Sequence, residues 1–186
     1  MKPNSGCLAL LLALTTPLAH AVEYRTVLPK QSAITFEFRQ MGVPVAGGFN
    51  RFTTQMVFDP AKPETASAQI EIDLASIDAG SPEADDEAAG KLWFNRSLYP
   101  KARFVSSQIR ALGNNRYEMR GTLTLKGKNR EMLVPVTFKP GKDAALFDGV
   151  FTLKRLDFGI GEGMWADVST VANDVLVKFR IAASGH

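Results

Sequence analysis

The sequence predicts a mainly β protein, a single antiparallel sandwich or closed β-barrel of about eight strands with one short helix. Three observations predict it. Apolar residues recur at every second position in segment after segment, the mark of strands with one dry face and one wet face. Short clusters of turn-forming residues separate neighbouring segments, which leaves no room for parallel crossovers. One stretch alone carries helix start signals.

Residues 1–21 read as a cleavable secretory signal peptide. Lys2 gives the positive start, residues 8–14 are an apolar run, and Ala19-His20-Ala21 supplies the small-x-small cleavage pattern. The domain is then expected over residues 22–186, in the periplasm. Removal of the leader takes away the single cysteine, Cys7, and one of the two histidines, His20; the other is His186. The usual nucleophile–base pairs and soft metal ligands go with them, so a binding role is expected and an enzyme is not. The formal net charge of +3 is small and the basic residues are dispersed, which argues against nucleic acid as a partner.

The strands follow in order. In residues 32–40, Ile34, Phe36 and Phe38 alternate with Thr35, Glu37 and Arg39. In residues 52–58, Phe52, Met56 and Phe58 oppose Thr53, Gln55 and Val57; then Ile70 and Ile72 oppose Gln69, Glu71 and Asp73. A helix of about three turns is expected from Ser81 to Asn95, with Ser81 as N-cap, Pro82 at the first position and acidic residues complementing the dipole. A strand near residues 103–109 precedes the turn Asn114-Asn115. Tyr117, Met119, Gly121, Leu123 and Leu125 then share one face. The loops at residues 126–129 and 140–143 bound a strand at 132–138, and another follows at 146–155. Val175, Val177, Phe179 and Ile181 line the last strand. Closure into a barrel would remove exposed edges, and a barrel of this size encloses either a packed core or one small ligand.

Other clusters have simpler accounts. Asp85-Asp86-Glu87 suits a solvated first helical turn. Asp157, Glu162, Asp167 and Asp174 suit loop capping. Ser106-Ser107 has no histidine base, and the glycine loop Gly159–Gly163 lacks the lysine and the strand–helix setting of a phosphate loop. The aromatic residues form the more coherent candidate site. Trp93 and Phe94 leave the helix, Phe158 and Trp165 bracket the glycine loop, and Phe36, Phe38, Phe49 and Phe58 come from early strands. In a barrel open at one end these would line a long apolar pocket, with the two tryptophans at its mouth.

Several stretches in order also resemble the YceI-like family of exported bacterial proteins. They include Ser32–Phe36, Gly48-Phe49 followed by Phe58-Asp59-Pro60, Ile72–Asp78, Trp93-Phe94-Asn95 with Tyr99-Pro100, Phe104–Ser107, Gly121–Gly127 and Arg155–Ile160. The resemblance implies a lipocalin-like barrel that holds a long apolar chain of the polyisoprenoid class, a quinone or polyprenyl lipid, with no covalent cofactor and no metal. Face parity and motif position add Ile34, Phe104, Leu123 and Phe179 to the expected lining. The form Gly161-Glu162-Gly163-Met164-Trp165 is similar to that of family members found beside membrane b-type cytochromes. This implies, as the alternative role, a partner or assembly protein for such a redox complex, with a filled barrel. Dimerisation through an apolar rim is a further expectation.

Overall fold

The computed structural model describes residues 22–185; the expected leader with Cys7 and His20, and His186, lie outside the described residues. The chain forms β1 (Tyr24–Val27), β2 (Ala33–Gln40), β3 (Val43–Phe49), β4 (Phe52–Val57), β5 (Ser67–Asp73), β6 (Ile77–Asp78), α1 (Pro82–Ala89), β7 (Lys101–Gly113), β8 (Arg116–Leu125), β9 (Lys128–Lys139), β10 (Ala145–Lys154) and β11 (Asp174–Gly185). Three two-residue turns set hairpin registers. Met41-Gly42, Asn114-Asn115 and Lys126-Gly127 all have positive φ at both positions, the geometry whose twist matches flanking antiparallel strands. Long ladders follow, with Tyr117 opposite Val136 in β8–β9 and Phe147 opposite Ile181 in β10–β11.

The sheet corrects the expected architecture. One hydrogen-bonded path runs β4-β5-β7-β8-β9-β10-β11-β2-β3-β6, with β1 paired to β11 beside it, and no ladder joins its two ends. The protein is thus an open half-barrel of eleven strands, not a closed eight-stranded barrel. The cause is local. β3 follows β2 as far as Phe49, then the chain turns a corner at Asn50-Arg51 and β4 pairs with β5 instead. Ser76 holds the corner: its carbonyl accepts from the Asn50 N–H at 2.9 Å and its Oγ from the Arg51 N–H at 2.8 Å. Between β4 and the start of β2 a seam is left. β1 straps one end of it, where Tyr24 and Phe58 exchange two backbone hydrogen bonds of 2.8 and 3.1 Å. Residue periodicity fixes faces, but it cannot show where a strand changes partner.

The helix is shorter than expected. Ser81 caps it by accepting from the Ala84 N–H, yet it ends at Ala89 because Gly90 leaves helical geometry. Trp93 and Phe94 therefore sit in the turn that follows, closed by Asn95 at positive φ, and not on the helix.

Beyond β10 the chain crosses the sheet end in two short 3-10 turns, Arg155–Phe158 and Gly163–Ala166. Arg155 is 1% exposed and, among the described residues, meets no carboxylate. Its five N–H groups donate instead to backbone carbonyls: Nε to Ala172, Nη1 to Ile160 and Gly161, and Nη2 to Trp165 and Val171, all at 2.6–3.0 Å. Burial pulls its pKa below the ordinary arginine value. Lys126, from the β8–β9 turn, ties the same loop by donating to the Gly159 carbonyl and to Glu162 at 3.0 Å. That bond and the adjacent lysine charge hold the Glu162 carboxyl below its usual range.

Two predictions follow from these ties. Replacing Arg155 by Met orphans five carbonyls and should lower unfolding free energy by about 3 kcal/mol or more in urea titration. Arg155→Lys should recover only part of this, because one ammonium cannot span the five acceptors. The stabilisation from Glu162 is complete above its unfolded pKa and is lost as pH falls through its lower folded value. Fluorescence from Trp93 and Trp165 should therefore show a step below about pH 4, and Glu162→Gln should remove that step.

Candidate functional site

Alternation along the strands turns one apolar face inward, and that face packs into two cores. At one end of the strands Tyr24, Phe58, Tyr117, Phe138 and Phe147 stack edge-on or tilted, with ring centroids 5.0–6.5 Å apart. At the other end Leu74, Leu123, Leu125, Leu153, Phe158 and Ile160 are buried beneath the Arg155 loop. Phe104, Met132 and Phe151 pack against both cores and are themselves only half-buried. The inward face is therefore apolar from end to end, and its middle members are less buried than those at its ends.

The residues expected to line a pocket fall into three groups. Phe36, Phe38, Phe49 and Phe94 form a chain of rings, with centroids 6.3 Å apart for Phe36–Phe38, 5.4 Å for Phe36–Phe49 and 6.5 Å for Phe49–Phe94. Leu123 and Phe158 belong to the buried loop-end core, against which Phe49, Trp93, Phe94 and Phe104 pack. Phe58 is at the centre of the opposite core, with Phe104 and Phe179 against it. Ile34 is 4% exposed and forms part of the floor of the seam with Phe49. Trp93 and Trp165 meet each other at 5.5 Å, and the Arg155 guanidinium lies 5.7 Å from the Trp93 ring centre. The Trp93 indole N–H donates to Glu87 at 3.1 Å.

Glycines on the inward face make room for three of these rings. Phe36 lies against Gly47, Phe104 against Gly121 and Phe179 against Gly149, so closely that a Cβ on any of the three glycines would collide with the ring edge. Gly47 and Gly149 stand directly opposite their rings in the ladders. A flat ring on a neighbouring glycine covers the wall without filling the lumen.

Two openings adjoin this interior. A narrow cavity of ≈ 50 Å³ lies beside the aromatic core, lined by Thr54, Met56, Ile70, Met119, Val136 and Phe179 among others. A groove of ≈ 640 Å³ follows the seam, where Ile34, Phe49 and Phe52 form an apolar floor beneath Arg51, Glu71, Asp73 and Lys101. The charges are paired, Arg51 with Asp73 at 2.9 Å and Lys101 with Glu71 at 3.2 Å. The Ala75 N–H, and then Arg51, hold the Asp73 carboxyl below its ordinary range. Among the described residues no group of three His, Cys, Asp or Glu is placed to hold a metal ion.

The sequence reading missed Arg155, whose role depends on loop carbonyls that carry no side-chain signal. It also missed most of the cavity wall. Thr54 was legible in principle, as a polar residue on the parity of Phe52, Met56 and Phe58.

Comparison with known proteins agrees with this architecture. The model of the YceI-like domain matches residues 26–183. A UPF0312 protein of Pseudomonas savastanoi pv. phaseolicola is 31% identical over 169 residues, 86% of this chain and 88% of that protein. Among solved structures, BcnA of Burkholderia cenocepacia is 44% identical with a TM-score of 0.83, covering 85% of this chain and 99% of that one. A polyisoprenoid binding domain from Saccharophagus degradans shares the fold at 16% identity and a TM-score of 0.67, covering 90% of this chain and all of that one. With its family model spanning nearly the whole described half-barrel, the chain belongs to the YceI-like family.

Proposed function

We propose that this protein is a periplasmic carrier that holds a long isoprenoid-type lipid, of the quinone or polyprenyl class, against the inward face of its half-barrel. One observation carries the reading: an unbroken inward apolar surface whose middle members, Phe36, Phe49, Phe104, Met132, Phe151 and Phe179, stay half-buried between two packed ends. A protein with nothing to hold gains by burying such residues fully, at about 25 cal/mol per Å². The polyisoprenoid named for the Saccharophagus degradans domain supports the same class of cargo.

A long chain is larger than the ≈ 50 Å³ cavity, so loading requires lining rings to move. The rings of Phe36, Phe104 and Phe179 rest on glycines, with no side chain beneath to lock them. Burial of the hydrocarbon drives binding, and the ordering of chain and rings offsets part of it.

Native mass spectrometry of protein purified from its own cell compartment, followed by solvent extraction, tests the proposal. A stoichiometric mass increment that yields an isoprenoid on extraction is the expected result. A ligand-free mass that stays unchanged after quinones and polyprenyl lipids are offered would sink the carrier reading and favour a role as a protein partner. Phe36→Ala should weaken lipid binding several-fold while shifting the thermal midpoint little, because its ring is half-buried. A large loss of stability with unchanged affinity would make Phe36 ordinary core.

A further inference from the structure

Thr54 stands out on the inward face. Its Oγ1 is shut off from solvent and has no hydrogen-bond partner, the sole buried side-chain oxygen or nitrogen in that state among the described residues. The same residue lines the apolar cavity beside Met56 and Ile70. Its backbone is also at a free edge. The Arg51 carbonyl accepts from the Asp73 N–H, so Arg51 faces β5, and antiparallel alternation turns Phe52, Thr54 and Met56 the other way. Phe58, on that same parity, spends its groups on Tyr24. Thr54 has no such strand partner there.

An orphaned buried hydroxyl is destabilising, and a valine of nearly the same shape would avoid that cost. A one-step turn of χ1 moves Oγ1 to another of the three positions on Cβ, so the hydroxyl can be presented to the cavity that the residue lines. We propose that Thr54 is a hydrogen-bonding subsite for the single oxygen function, hydroxyl or carbonyl, of an otherwise hydrocarbon cargo. The inference rests on the carrier reading above and adds a preference to it: oxygen-bearing isoprenoids over the bare hydrocarbon.

The test uses two probes, a long-chain polyprenol and the hydrocarbon of the same skeleton without its hydroxyl. Wild-type protein should bind the alcohol about tenfold tighter. Thr54→Val should bind both equally, at the hydrocarbon affinity of the wild type, and Thr54→Ser should restore the preference. The thermal midpoint of ligand-free Thr54→Val should hold or rise, and a marked fall would show that the hydroxyl serves the fold, overturning the proposal. A preference that survives in Thr54→Val, or a wild type that binds both probes alike, also overturns it while leaving the carrier reading intact. If neither probe binds the wild type, and a long-chain quinone does not either, the carrier reading falls and the subsite falls with it.

Discussion

Burying a guanidinium is among the costliest things a small protein can do, and this one does it without a counter-ion. The site can exist only because five carbonyls converge on Arg155 from segments that otherwise share no ladder, at Ile160, Gly161, Trp165, Val171 and Ala172. Each party needs the other. The loop has no regular structure to absorb those carbonyls, and the cation has no water. The result is a rigid cap: it buries Phe158 and Ile160 and sets Trp93 against Trp165. Gly161 is part of the constraint, since a Cβ there would collide with the guanidinium. The filled end of the interior is thus made by polar chemistry, while the filled end across from it is made by stacked rings.

Between those ends the wall is thin by construction. In a sheet lined with bulky residues on both sides of every ladder, a lumen this size would close on itself. Laying phenylalanine against glycine, opposite it at Gly47 and Gly149 and diagonally at Gly121, thins the lining at three places and keeps the strand surface covered. The same arrangement puts no side chain beneath these three rings. Adaptable width and a fixed frame are then properties of different residues, and neither compromises the other.

Much of this was legible in the residues. Alternation placed Ile34, Phe36, Leu123 and Phe179 on inward faces, because a strand with one wet face can be read from its parity alone. Asn114-Asn115 marked its turn, because side chains that tolerate positive φ are few. Pairing was not legible where the chain changes partner. Nothing in Asn50-Arg51 announces that β3 and β4 belong to different neighbours, since the corner is held by Ser76 from a distant segment. The helix expected as far as Asn95 stops sooner for a related reason: Ala84, Ala88, Lys91 and Leu92 keep helical spacing, but Gly90 ends the ladder. Nothing in the residues marks Arg155 as buried, because the carbonyls that hold it belong to the backbone and are the same in every sequence.

The strap at Tyr24 has a consequence for how this molecule behaves in company. β4 is an edge strand, and an unpaired edge is a template on which another chain can build. The protein protects it economically. Tyr24 occupies the last backbone station at Phe58, and Thr53 and Gln55 keep the outer face wet. The short first strand is thus a stopper as much as a structural element. A chain trimmed beyond Tyr24 would lose one ring of its aromatic core and would also present a continuous open edge to its neighbours. Self-association would then compound the loss of packing.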